Sequence, residues 1–335
     1  MADNQAKANV AQCKLTADVV AGLKLRDDFY QREFLNSGLD SEVQYRMLFF
    51  AVAICHQTHI LHHPGLNLWG WDYLEHAFLD LAKNKPELIN PAYLSKVSVS
   101  TLVDELTPFF SYNKHPDNCT LDRIKERAEL MIEASNFIIE EFASQIAGMI
   151  NSTGQKLYND GKGMYELLAK MEAFSDPFQK KSTFLIKLLE EASLLEIEDP
   201  KNFIPIMDYH MQRVLLRLGC VEIIDKQLHR QLVERTPMDS DEAVRSACIE
   251  AFKIIANHSG YPVTKMNDFF WSLGRSCCNE TTLCQDGICA KSPCTLAQIV
   301  DIKSHKNCIF EKICKGYQDE SYRNLWQPIV ETHYY

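Results

Sequence analysis

No apolar stretch in this chain is long enough to cross a bilayer; the longest, residues 47–55, is less than half a membrane span. Met1-Ala2-Asp3-Asn4-Gln5 has neither the basic n-region nor the apolar h-region of a secretory signal, which predicts a cytoplasmic protein without membrane attachment. Cations are in deficit, with 35 Lys and Arg against 45 Asp and Glu and a formal net charge of −10. That balance argues against broad, non-specific binding of duplex nucleic acid, which needs a basic face. It leaves room for a local pocket that takes one phosphate. Alternating strands, a βαβ rhythm, internal repeats and low-complexity stretches are also missing.

What is present is an ordinary globular mixture, 46% hydrophobic and 24% charged over 335 residues, which excludes wholesale disorder. Nearly every periodic stretch reads as helix. Ser41-Glu42-Val43-Gln44 has the pattern of a capping box ahead of Met47, Leu48, Phe49 and Ala51. Leu121, Ile124, Ala128, Met131, Ile132, Ser135 and Ile138 predict a long helix from near Thr120. Further helices are predicted after the turn at 172–176, over 209–218 with Gly219 as the stop, over 241–257 ended by Gly260, and over 265–274. The expected fold class is all-α, with residues 1–335 as a single helical domain around one main core. Residues 275–320 change character, becoming cysteine-rich, polar and weakly periodic. They read as an inserted loop held by metal rather than by a core.

Twelve cysteines are spread unevenly. Cys277, Cys278, Cys284, Cys289, Cys294, Cys308 and Cys314 crowd the C-terminal part. A secreted disulfide scaffold would be short and cysteine-rich throughout, so clustered thiols in a long chain favour a reduced compartment and a metal. On the same reading the Asn-x-Ser/Thr triplets at Asn118, Asn151 and Asn279 are chance occurrences. Cys278, Cys284, Cys289 and Cys294 are the expected ligands of one structural centre, a [4Fe-4S] cluster or zinc. Cys277, Cys308 and Cys314 are possible substitutes. The Gly274-Arg275-Ser276-Cys277-Cys278 start is similar to that of the iron–sulfur DNA glycosylases, whose later cysteine spacing differs from the one here.

Residues 204–214, Ile-Pro-Ile-Met-Asp-Tyr-His-Met-Gln-Arg-Val, carry the strongest chemical signal. Pro205 keeps the backbone before it extended. Asp208 then falls where a helix N-cap belongs, its carboxylate facing the free N–H groups of the new helix. Such a residue is either a plain cap or a fixed anion that faces a developing cation.

This segment resembles the catalytic-aspartate segment of the helix–hairpin–helix DNA glycosylase superfamily. It looks even more like the queuosine-nucleotide N-glycosylase family of queuosine salvage. Phe178-Gln179-Lys180-Lys181 precedes Met207-Asp208-Tyr209-His210 at a separation similar to that family's. Asp241-Glu242-Ala243-Val244-Arg245, Asn267-Asp268-Phe269-Phe270-Trp271 and Thr332-His333-Tyr334-Tyr335 follow in its order. The resemblance covers roughly the last half of the chain and departs at His210, Gln212-Arg213 and the cysteine-rich segment. It implies a helical glycosylase-like fold and cleavage of the base–ribose bond of a modified nucleotide such as queuosine 5′-phosphate. It implies Asp208 and Lys180 as catalytic residues, with Lys181 as the alternative to Lys180. It also implies a base and sugar pocket drawn from His56, His59, Trp71, Tyr209, His210, Arg245 and Trp271.

The glycine-rich hairpin by which the superfamily approaches a DNA phosphate should lie shortly before Asp208. Residues 164–218 contain no glycine. This favours a small nucleotide over nucleic acid as the partner. A base-excision DNA glycosylase with an iron–sulfur or zinc loop stands as the alternative, and a catalytically idle nucleotide or nucleic-acid binding protein as the third. The oligomeric state is left open.

Overall fold

The computed structural model describes residues 5–26, 32–301 and 306–335. Helices take 56% of the chain and strands 6%, so the class is all-α. Where the sequence reads as one helical domain, the chain divides into two compact units. The first is built from Met1–Tyr30 and Ile204–Glu331, the second from Gln31–Phe203 and Thr332–Tyr335.

The first unit opens with β1 (Ala6–Ala8) and α1 (Val10–Ala21), whose N-cap Asn9 accepts from the Gln12 N–H at 3.1 Å. The second unit is centred on α2 (Ser41–Ala53), where every residue from 47 to 53 is buried. A helix apolar on all sides belongs inside a core. Its N-cap is Asp40 rather than Ser41, accepting from the Glu42 N–H. The helix stops at Ala53, so His56, His59, His62 and His63 are not on it. They fall on a 3-10 turn (Thr58–Ile60), on its approach, and on the hairpin strand β2 (His62–His63), which pairs with β3 (Leu68–Trp69).

Around α2 pack α3 (Trp71–Asn84), α4 (Ile124–Phe142) and α5 (Lys180–Glu191). α4 begins four residues past Thr120, after Arg123 at φ +47°, a left-handed value that no regular helix continues. α5 has no side-chain cap at Gln179. Instead Asp176 reaches forward and accepts from the N–H groups of Phe178 (3.0 Å) and Lys180 (2.8 Å). The last four residues close on this unit, with the Tyr335 carbonyl accepting from the Gln57 N–H at 3.0 Å.

The first unit resumes with α6 (Tyr209–Leu218), stopped by Gly219 at φ +80°. β4 (Val221–Ile223) follows and pairs antiparallel with β1, Ala6 opposite Ile223 and Ala8 opposite Val221. α7 (Glu242–Ser259) buries Val244, Cys248, Ala251, Phe252 and Ile255 at helical spacing, against α1, β1 and α6. α8 (Val263–Ser276) packs on α6. Residues 277–320 are not without apolar anchors. Leu283, Leu296, Ile299, Val300 and Phe310 are all buried, and the 3-10 turn Thr295–Gln298 packs against α8. Among the described residues, no helix is long and apolar enough to cross a membrane.

Candidate active site and metal centre

Asp208 is the N-cap of α6. Its backbone is extended and its Oδ1 accepts from the Met211 N–H at 3.0 Å. The residue is 6% exposed. The approach to it is braced twice, by the Ile206 N–H donating to Asn267 Oδ1 (3.2 Å) and by Arg245 Nε donating to the Met207 carbonyl (3.2 Å). Arg245 is thus buried beside Asp208, holding backbone. The helix N-terminus supplies a positive potential that suits a negative side chain.

One turn further, Arg213 ties three segments together. It donates to the carbonyls of Gly274 (2.8 Å) and Cys278 (3.1 Å) and to Gln327 Oε1 (2.6 Å). Burial pulls its pKa down to about 10. Its Nη2 also lies 3.0 Å from His210 Nδ1. A guanidinium only donates, so Nδ1 is the acceptor and a neutral His210 carries its proton on Nε2. Trp271 meets the His210 ring edge-on at 6.4 Å and is covered by Arg275 at 4.7 Å. Gly274 permits this crowding, because a Cβ there would fall 2.6 Å from the His210 carbonyl oxygen. Asp208, Tyr209, His210, Arg245 and Trp271 therefore share the start of α6 and the helices packed on it.

In the second unit a different set converges at the C-terminal end of α2. Lys181 is fully buried and donates to the Ala53 carbonyl at 2.6 Å. Arg127 donates to the Ile54 carbonyl and to Asp122 Oδ1 (2.7 Å). Two basic side chains thus satisfy the last carbonyls of α2. His56 is also fully buried, with Nδ1 3.3 Å from Lys181 Nζ. Its Nε2 stands 3.3 Å from Glu126 Oε1, near enough for an ion pair but without the alignment of a hydrogen bond. Burial, then the charges of Lys181 and Arg127, hold His56 well below its ordinary pKa. Burial likewise lowers Lys181 to about 7.

Lys180 points differently from its neighbour. Its Nζ is 3.7 Å from Cys55 Sγ and 5.3 Å from the centre of the Phe184 ring. Trp71 meets Phe184 edge-on at 4.7 Å and donates to the half-buried carboxylate of Glu75 at 2.6 Å. Lys180 and Trp71 are thus linked through one ring. His59 is exposed and joins neither group.

The cysteine segment forms a compact thiol group. Cys277 Sγ lies 3.5 Å from both Cys289 Sγ and Cys294 Sγ, and the three sulfurs are all within 4.8 Å of one another. No disulfide joins any cysteine of the chain. The mutual contact of Cys277 and Cys294 lowers the Cys294 thiol and, with burial, raises that of Cys277. Three sulfurs at this spacing can bind a metal ion. This corrects the expected ligand set. Cys289 and Cys294 belong to it, but Cys277 replaces Cys278, and Cys278 and Cys284 fall outside. Consecutive residues leaving a helix point about 100° apart, so only one of the adjacent pair can face the group. Cys277 is 4% exposed and turns inward, whereas Cys278 Sγ turns to Arg217 Nη1 at 3.8 Å.

No family model matches this chain, and no curated protein matches it.

Proposed function

We propose that the chain hydrolyses the N-glycosidic bond of a modified nucleotide, of the queuosine 5′-phosphate kind, with Asp208 as the electrostatic partner of the ribosyl cation. The observation that carries this reading is the buried, hydrogen-bonded carboxylate of Asp208 at the start of α6. As the base departs with the bonding electron pair, C1′ of the ribose gains positive charge. A fixed carboxylate interacts more strongly with that charge than with the neutral ground state, which is what lowers a barrier. Water then adds to C1′ and gives up a proton, for which Asp208 is the acceptor. His210, its Nε2 proton set by Arg213, is the group we assign to protonating or orienting the leaving base.

Lys180 and Lys181 have different surroundings. The ammonium of Lys181 is engaged by the Ala53 carbonyl and His56, whereas Lys180 contacts a thiol and an aromatic face. The three-cysteine group is proposed to hold zinc. At a Zn–S distance of about 2.3 Å, tetrahedral ligands sit roughly 3.8 Å apart, close to the sulfur separations here, whereas cubane thiolates sit on separate irons.

The test is incubation with modified nucleotides and with damaged-base duplexes, followed by mass detection of free base. Release from a nucleotide is expected. Asp208→Asn should fold, because Asn caps nearly as well as Asp, and should lose at least about a hundredfold in turnover, the scale of one key electrostatic group. Near-normal release by this variant would reduce Asp208 to a helix cap. Borohydride should trap no sugar adduct during turnover; an adduct on Lys180 would mean Schiff-base chemistry instead.

A further inference from the structure

Three sulfurs leave one corner of a tetrahedron unassigned, and zinc in structural protein sites is almost always four-coordinate. Ser276 stands beside that corner. Its Oγ lies 3.4 Å from Cys294 Sγ and 3.7 Å from Cys277 Sγ. Those two sulfurs are 3.5 Å apart, and Cys289 Sγ is 3.5 Å from Cys277 Sγ and within 4.8 Å of Cys294 Sγ. Ser276 is fully buried, so the protein and not solvent sets where its hydroxyl sits.

The last turn of α8 prepares this oxygen. The Ser276 hydroxyl donates to the Ser272 carbonyl, four residues back, at 2.6 Å. Its one proton is therefore committed to the helix, and lone pairs are what it offers the thiols. The Ala290 N–H donates to the Ser276 carbonyl at 2.8 Å, which brings Cys289 back to the helix end. Ser276, Cys277 and Cys278 leave α8 at successive steps of about 100°. The thiol group lies between the first two directions, and Cys278 is turned away to Arg217. The spacings match a coordination shell. With Zn–S at about 2.3 Å and Zn–O at about 2.0–2.2 Å, tetrahedral geometry separates sulfur from oxygen by roughly 3.5–3.7 Å.

We propose that Ser276 Oγ is the fourth ligand of the zinc centre formed with Cys277, Cys289 and Cys294. The proposal rests on reading the three thiols as a zinc site and is independent of the glycosidase reading. Zinc binding releases three thiol protons and leaves the serine hydroxyl neutral, so the filled site carries one net negative charge. Four protein atoms close it, and no corner is left for water or substrate, which is the arrangement of a structural site. The Ser272 carbonyl then holds the ligand oxygen in place by accepting its proton. The hydroxyl also favours zinc, which accepts oxygen beside sulfur, over Cu(I), which soft sulfur ligands select.

The test is spectroscopy on the full chain loaded with zinc or with cobalt(II). X-ray absorption at the zinc edge of the wild type should show three sulfurs and one oxygen at about 2.0–2.2 Å. Four sulfurs, or the ring scattering of a histidine, overturns the proposal. Ser276→Cys should bind cobalt through four thiolates and raise the sulfur-to-cobalt charge-transfer absorption by about one third, the ratio of four such ligands to three. Ser276→Ala should keep native far-ultraviolet dichroism and weaken zinc binding at least about tenfold, the scale of losing a supporting group at a metal. A hydroxyl that only satisfies the Ser272 carbonyl predicts neither change. An unchanged cobalt spectrum in Ser276→Cys, or unchanged zinc affinity in Ser276→Ala, therefore overturns ligation by serine and leaves the three-thiolate centre standing. A wild type that takes up neither metal overturns both. Should Ser276→Ala fail to fold, the Ser276→Cys spectrum and the wild-type zinc edge decide.

Discussion

Two adjacent lysines, Lys180 and Lys181, look alike in the sequence and face different surroundings in the fold. Helical phase does not separate them, because both follow a left-handed residue, Gln179, at the start of α5. Both are buried, and their contacts separate them, Lys181 under the end of α2 beside His56 and Lys180 against Cys55 and Phe184. The pair has a pH signature. Folded His56 resists the proton that an unfolded histidine takes up near pH 6.5, so stability is lost as pH falls below that point. Folded Lys181 gives up its proton at about 7, against an ordinary value of 10.5, so stability also falls as pH drops from 10.5 towards 7 and is flat below that. His56→Gln should flatten the acid side, read as urea midpoints between pH 5 and 7. Lys181→Met should flatten the alkaline side between pH 7 and 10. Slopes that match wild type in both variants would remove these residues as the source.

At the scale of elements, the legible parts were those with local causes. α6 begins and ends as the sequence predicts because its signals, Asp208 and Gly219, act within a turn of the boundary. α7 is legible for the same reason. Gly274 shows where local signals mislead. A glycine at the end of an apolar pattern reads as a helix stop, yet α8 runs on through Ser276, and the glycine serves the contact with His210. Gly274→Ala should therefore force α6 and α8 apart and cost about 1–3 kcal/mol, the usual penalty of overpacking. Thermal melting of the variant would show it, and an unchanged Tm would mean that the helices yield without strain. The choice between Cys277 and Cys278 was illegible because it depends on how α8 leaves its last turn. The convergence of Asp208 with Arg245 and Trp271 depends on packing among α6, α7 and α8, which no spacing along the chain encodes.

At the scale of the molecule, all seven clustered cysteines belong to the first unit, and α2 to α5 belong to the second. Stripping metal with a strong chelator should open residues 277–320 to protease and leave the second unit resistant. Simultaneous cutting within α2 to α5 would show that metal supports more than the segment around it. The division of the chain also sets an order of manufacture. β1 and α1 are made before the stretch Gln31–Phe203, and β4 and α7, on which they pack, come only after all of it. At about 5–20 residues per second, a ribosome holds the opening segment unpartnered for on the order of tens of seconds. The inserted unit emerges nearly whole in that interval, and its closing strap, Thr332–Tyr335, follows only after Ile204–Glu331. A nascent chain stalled before Ile204 would thus display the buried side of α1, with Cys13, Ala17 and Val20, to whatever chaperone waits at the exit tunnel.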